Sequence, residues 1–297
     1  MADVQTIKAP LKSSVEQPSS PWLDAWKILR KNKMAMVGLG IILFFILIAV
    51  LAPVLAPYPY DEGELVMKNK PPSAEHWFGT DYNGRDVLSR VIYGAQISLW
   101  VGTFSVIGSI VAGTFFGLLA GYYGRWVDTI ISRIFDIMLA FPSILLAIAI
   151  VAILGPSLQN ALLAIAIINI PTFGRLVRAR VLSLKEEEFV MAARAVGMKN
   201  SRILMKHILP NSLAPIIVTG TLGIATAIIE AAALGFLGLG AQPPEPEWGK
   251  MLADSRQYIQ KAPWTVIFPG LSIMLTVLGF NLIGDGLRDA LDPRMKN

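Results

Sequence analysis

Residues 188–211 read EFVMAARAVGMKNSRILMKHILPN, and the reading of this stretch decides the fold. Glu186, Glu187 and Glu188 stand where the positive end of a helix macrodipole favours acids. Phe189, Ala192, Ala193 and Val196 then set small and apolar side chains on one narrow helical face. Gly197 is placed to end that helix as a C′ glycine. A second short helix is expected over 201–208, with Pro210 as its stop. Arg194, Lys199, Arg202 and Lys206 are left for solvent. The adjacent alanines let the first helix sink into a groove on a partner. A solvated connector is the plain alternative, and the ordered apolar face argues against it.

The surroundings of this charged insert are apolar. The chain has 297 residues, of which 54% are hydrophobic and 16% charged, with a mean hydropathy of +0.56. That profile is polytopic membrane protein. A helix needs roughly 20 apolar residues to cross a ~30 Å hydrocarbon core. Six runs approach this, at 36–55, 97–121, 135–154, 158–177, 213–235 and 264–284. The fourth is interrupted by Asn169, Pro171 and Gly174. The runs are continuous rather than alternating, so helices are expected and barrel strands are not. With the N-terminus inside, most near-span cations fall inside, including Lys27, Arg30, Lys31, Arg125, Arg133, Arg175, Arg178 and those of the 188–211 loop. Lys68, Lys70, Arg85, Arg90, Lys250, Arg256 and Lys261 fall outside. Both termini are therefore expected in the cytoplasm. The net charge of +5 follows from this bias and does not argue for nucleic acid. The chain has no cysteine, which excludes disulfides and thiol chemistry. The first apolar run is too long, and begins too late, for a signal peptide.

Residues 1–19 carry no apolar period and are expected to be a disordered cytoplasmic tail. Residues 20–35 form an expected amphipathic helix, started by Ser20-Pro21, with Trp22 and Trp26 at headgroup depth and Leu29 on the same face. The outer segment 56–93 starts irregular at Pro57 and Pro59. Within it, Gly79 and Gly84 bracket a turn, Asp86 caps a short helix at 87–93, and Asp81 is placed to pair with Arg85. On an exposed turn that pair is worth roughly 0–1 kcal/mol, and its use is to shape a contact with another protein. Residues 94–290 form the core. Ser105, Ser109, Gly113, Gly117 and Gly121 recur every fourth residue in the second run, as do Thr219, Gly223, Ala227, Ala231 and Gly235 in the fifth. Such stripes let helix backbones approach in lipid, where hydrophobicity does little to join them. Pro142 and Pro171 are expected to bend their helices. Proline density in 242–248 forbids helix there, and a short helix is expected over 250–260. A short cytoplasmic tail is expected after 284.

Glu230 is the acid in the middle of a span. It reads either as a structural hydrogen-bonding group, which we favour, or as the lining of a pathway or a mate for a cation on a companion chain. Asn169 and Asn281 are intramembrane amides for which interhelical hydrogen bonds are the default. Asp285 sits at the inner boundary.

The 188–211 stretch resembles the coupling loop of ABC importer permeases. That loop reads roughly Glu-Ala-Ala, a spacer, Gly, a longer spacer, then Ile-x-Leu-Pro. Here Met191-Ala192-Ala193, Gly197 and His207-Ile208-Leu209-Pro210 stand in register, with Met191 replacing the glutamate and His207 the isoleucine. The stretches Phe78-Gly79-Thr80-Asp81, Gly84-Arg85-Asp86-Val87-Leu88-Ser89-Arg90, Leu234–Gly240 and Gly284–Pro293 are similar to the dipeptide, oligopeptide and nickel branch, most of all its C-type permeases, with glutathione permeases close. The resemblance runs from about Trp22 onward. It implies a six-helix type I importer permease in a bacterial or archaeal cytoplasmic membrane. Half of the pore would come from this chain and half from a homologous sister permease. Two ATPase subunits would bind ATP and Mg, and an outer solute-binding protein would deliver cargo. It also implies that Glu188, Phe189, Ala192, Ala193, Arg194, Gly197, Leu209 and Pro210, within a coupling loop 185–212, dock an ATPase. Gly79, Asp81, Gly84, Arg85 and Asp86 are its outer signature. This chain lacks G-x-x-x-x-G-K-[ST] and is expected to hold no cofactor or metal of its own.

Two other classes fare worse. An intramembrane enzyme lacks groups, since the only histidines are His76 and His207, both outside the spans, and no Gly-x-Ser-x-Gly or His-Glu-x-x-His occurs. An ion-coupled carrier would rest on one carboxylate and leave the loop unexplained. Dipeptides or oligopeptides are the expected solute, since the similarity is widest there, with glutathione and nickel chelates as the alternatives.

Overall fold

The computed structural model describes residues 21–291. The 1–19 tail, Asp292 and Pro293 lie outside these residues, as does the Trp22 side chain. In chain order the helices are α1 (Pro21–Lys31), α2 (Lys33–Val50), α3 (Ala52–Leu55), α4 (Val87–Tyr123), α5 (Arg125–Leu139) and α6 (Ser143–Leu154). They continue with α7 (Leu158–Leu184), α8 (Glu188–Ala195), α9 (Asn200–Ile203), α10 (Leu209–Phe236), α11 (Trp248–Ser255) and α12 (Trp264–Leu291). Among the described residues there is no strand beyond a single bridge, Thr80 to Asp86.

Five helical runs are long and apolar enough to cross a membrane: α2, α4, α7, the α9–α10 run and α12. The expected third span, 135–154, is not one helix. It divides into α5 and α6, which meet at 95°. Pro142 lacks an N–H and disfavours helical geometry at Phe141, so the chain breaks there instead of merely bending. At 12 residues α6 is ~18 Å long, well short of a bilayer by itself. By contrast Pro171 is accommodated inside the continuous α7.

The most extensive helix contact joins α4 and α7, and the small-residue stripe makes it. A Cβ placed on Gly113 would come within 2.6 Å of Phe173 Cβ, and one on Gly117 within 2.6 Å of the Gly174 carbonyl oxygen. Gly121 meets Val181 in the same way, at 2.6 Å. Ser109 Oγ donates across the interface to the Ala166 carbonyl at 2.9 Å. α5 is tied to the inner half of α7 by Arg178, which makes a two-pronged bond to Asp128 at 2.5 and 2.7 Å. Neither acid of α5 stood out in the sequence. On the second striped helix, α10, Ala227, Ala231 and Gly235 are buried, while Thr219 and Gly223 are half-buried.

At one end of the bundle, α1 packs against α12, with Ala25, Leu29, Ala35 and Ala290 in one small core. Trp26 on α1 is exposed. α12 continues as helix through Leu291, so residues 285–291 are helical and continuous with it. The expected short helix 87–93 is likewise the first part of α4, which runs 37 residues, about 55 Å, from its Asp86 cap.

At the opposite end, α11 begins two residues earlier than expected because Glu247 caps it. Its carboxylate accepts from the Gly249 and Lys250 N–H groups, both at 2.8 Å. Glu247 is almost wholly buried, with Trp248 beside it in the core of α2, α4, α10 and α12. Burial outweighs those two donors and pushes the Glu247 carboxyl up to about 7.

Two tests follow. Gly117→Val places a branched side chain where the Gly174 backbone already sits. It should lower the detergent melting temperature by the several degrees that about 1–3 kcal/mol of overpacking implies. Gly40→Ala, with nothing within 4 Å of the new Cβ, should leave it unchanged. The second test is pH. The folded protein holds a proton on Glu247 that the unfolded chain releases near 4.5. Stability from this residue therefore falls as pH rises from about 4.5 to about 7, then levels off. Melting curves of Glu247→Gln should lack this component. Parallel wild-type and variant pH profiles would refute it.

Candidate functional site

The inner loop is built on the junction of α7 and α10. Val190 and Ala193 of α8 turn inward and join Val177, Val181 and Leu184 of α7 with Ile203, Leu204, Ile208 and Ile216 in one core. Ala193 is therefore a packing residue of this chain rather than part of an open docking face, which corrects its expected place. The helix repeat explains it, since Val190 and Ala193 share the side opposite Ala192. Glu188, Phe189, Ala192, Arg194 and Val196 are exposed, with Phe189 at 41% and Val196 at 79%. Phe189, Ala192 and Val196 form an apolar stripe that nothing among the described residues covers.

Gly197 ends α8 in a Schellman arrangement. Its N–H donates to the Arg194 carbonyl at 3.0 Å and Met198 N–H to the Ala193 carbonyl at 3.1 Å. The φ of +77° at Gly197, with open space around it, makes backbone conformation the reason for glycine there. Asn200 is held by the Tyr122 hydroxyl of α4 at 2.8 Å, and the Arg194 guanidinium lies over the Tyr122 ring.

Pro210 does not stop a helix, contrary to expectation. α9 passes through a π-turn, Leu204–Ile208, directly into α10. The Leu209 N–H donates five residues back, to Leu204. The wider turn makes room for the proline ring, and Pro210 sits in the first turn of α10, where its missing N–H costs little. Asn211 Nδ2 and Ser212 Oγ donate to the His207 and Ile208 carbonyls, at 2.6 and 2.9 Å. Leu209 packs partly against the inner core, and Pro210 is exposed.

The outer signature folds inward. Asp81 and Arg85 pair at 2.8 Å with 7% of each side chain exposed, and Arg90 approaches the same carboxylate at 3.6 Å. The pair was expected on an exposed turn, but the chain from 58 to 70 and the 242–258 region fold over it. Arg90 Nη1 bonds the Tyr60 and Pro244 carbonyls, at 2.8 and 3.3 Å. Removing one partner from such a buried group costs about 3–5 kcal/mol. Asp86 accepts from Ser89 N–H at 2.7 Å and from His76 Nδ1 at 3.0 Å. Gly79 and Gly84, at φ +73° and +76°, make the tight turns. Tyr82 bonds Asp254 at 3.2 Å, and burial followed by that acid raises its phenol above the ordinary value.

Within the bundle, Glu230 is 8% exposed and accepts from Asn169 Nδ2 at 2.9 Å. The structure thus brings together two of the three intramembrane polar residues. Asn281 stands apart on the open face of α12, exposed, and the interhelical bond expected of it is not made among the described residues. Sequence reading missed Glu247, whose only prior signal was an acid directly before Trp248-Gly249.

Comparison with known proteins agrees with this geometry. The family described as binding-protein-dependent transport system inner membrane component matches residues 113–297. The N-terminal transmembrane domain of oligopeptide transport permease C matches residues 20–72. The chain is 71% identical over 278 residues to the dipeptide transport system permease protein DppC of Alkalihalophilus pseudofirmus, covering 94% of this chain and 91% of that one. It is 50% identical over 285 residues to the glutathione transport system permease protein GsiD of Escherichia coli, covering 95% and 93%. Among solved structures, an inward-facing MetNI methionine ABC transporter aligns at a TM-score of 0.54 and 22% identity, over 69% of this chain and 97% of that one. An amino acid ABC transporter aligns at 0.52 and 14%, over 67% and 92%. At those identities the structural likeness speaks for the fold alone. The chain belongs to the family of inner membrane components of binding-protein-dependent transport systems.

Proposed function

We propose that this chain is the permease subunit of an ATP-driven importer of dipeptides and oligopeptides. The observation that carries the reading is the α8 stripe Phe189–Ala192–Val196. It is an uncovered apolar helix face on a membrane protein, backed by a core that reaches two spans. It supports docking of an ATPase through the loop 185–212, helix into groove. A displacement of α8 would pass through Val190 and Ala193 to α7 and α10 together, as a rigid unit. Differential contacts in two ATPase states would then alternate the pathway between the two sides.

In this reading α5 and α6 together make the sixth crossing and both termini are cytoplasmic, as the Lys and Arg distribution supports. Residues 20–35 lie in the inner interface, 56–93 form the outer segment and 94–290 the permease core. The partners are a homologous sister permease completing the pore, two ATPases that hold ATP and Mg, an extracytoplasmic solute-binding protein, and the lipid of a bacterial or archaeal cytoplasmic membrane. The 71% identity to a dipeptide permease favours peptides. The 50% identity to a glutathione permease makes glutathione the second candidate.

The test is the assembled complex. Ala192→Glu should reduce ATPase co-purification at least tenfold while the permease itself melts as wild type. Ala193→Glu should instead destabilise the permease, because it buries a charge in the inner core. Retained ATPase with Ala192→Glu sinks the docking assignment. Gly197→Val, forced into a positive φ at a cost of about 1–2 kcal/mol, should leave ATP hydrolysis but lose at least most dipeptide uptake in proteoliposomes. Coupled uptake at wild-type rates would count against Gly197 as part of the linkage.

A further inference from the structure

A carboxylate buried among spans needs donors. Glu230 has one strong protein donor, the Asn169 amide, which also serves the Ile165 carbonyl at 3.0 Å. A carboxylate has about four acceptor sites. No Lys or Arg among the described residues pairs with it.

Its surroundings are equally informative. Thr226 precedes Glu230 by one turn of α10, and Thr172 follows Asn169 by one turn of α7. The two helices run antiparallel, so both threonines lie on the inner side of the Glu230–Asn169 bond. Both are exposed, as is Ser143, whose hydroxyl is beside the Glu230 carboxylate at the start of the short α6. Exposed hydroxyls at this depth are unlike the Trp100, Phe104, Val111 and Phe115 face that α4 turns outward. Water or a polar solute accounts for the hydroxyls, and lipid does not. A cation fixed on a companion chain would pair with Glu230 at a single point. It leaves unexplained why hydroxyls continue a turn further along both helices.

On the permease reading above, we propose that Glu230 and Asn169, with Ser143, Thr172 and Thr226, form a station on the aqueous pathway that receives the ammonium group of the passing solute. An ammonium brings three donors, which complete the carboxylate, and leaves the hydroxyls to the peptide group behind it. A solute without a cationic amine gains nothing there.

The chain's lack of cysteine makes the test clean. Thr226→Cys supplies the one thiol on this chain in the assembled complex, with the unsubstituted complex as blank. A trimethylammonium methanethiosulfonate should be favoured over the sulfonate analogue by about tenfold more than the same pair shows toward a free thiol in solution, because Glu230 lies one helical turn away. Adding Glu230→Gln, which keeps an acceptor for Asn169, should abolish that preference. A free-amine dipeptide should slow labelling more than its N-acetylated form. Reaction with neither reagent would show the face covered by lipid or protein and overturn the proposal. A cation-to-anion ratio no larger than that of a free thiol would mean a companion cation already neutralises Glu230 and would overturn it too. ATP-driven dipeptide uptake in the same preparation separates this outcome from failure of the permease reading. Uptake without labelling rejects only the station.

Discussion

The backbone contact of α4 with α7 is what the rest of the structure depends on. Three glycines a turn apart on α4 meet Phe173, Gly174, Val177 and Val181 at distances no side chain would permit. In lipid there is no hydrophobic gain in joining two apolar helices, so dispersion over a close, complementary surface and the Ser109–Ala166 bond supply the attraction. That contact fixes the direction of α7 on both sides of the bundle. Its outer half presents Asn169 to Glu230. Its inner half carries Arg178 for α5 and the valines on which α8 rests.

The molecule uses two kinds of adhesive according to depth. Between spans it relies on small residues and single polar bonds, such as Ser109 to Ala166 and Asn169 to Glu230. Toward the ends of the spans it turns to charged groups: enclosed ones in Asp81 with Arg85 and Arg90 and in Glu247 at the start of α11, and a half-buried pair, Arg178 with Asp128, at the other end. The cap around α11 is consequently fastened to α4, α10 and α12 by packing and polar bonds together, whereas the 185–212 loop reaches the bundle through one modest core.

Much of this could be read in the residues. Five of the six apolar runs, the stripes and the glycine after α8 each rest on a local rule of periodicity or backbone conformation, and they met the structure well. What escaped depended on tertiary partners. Nothing near Asp81 announces that distant segments will enclose it. Ala192 and Ala193 look alike in a row, and only the packing of Val177 and Ile208 tells the inward one from the outward. Pro142 and Pro210 show the limit most plainly. The same residue type breaks a helix at one place and is absorbed by a wider turn at the other. The choice lies with the neighbours: a short exposed hinge in one case, and a continuous apolar seam toward α10 in the other.

The π-turn at Leu204–Ile208 carries one residue more than an α-helix of equal rise. Each residue of an α-helix contributes about 100° of rotation about its axis. The extra residue therefore sets the azimuth at which α9, and α8 attached to it, leave the membrane relative to α10. Shortening that segment by one residue would aim the loop at another quadrant while leaving every span intact. Compass bearing, not merely reach, is encoded in those five residues.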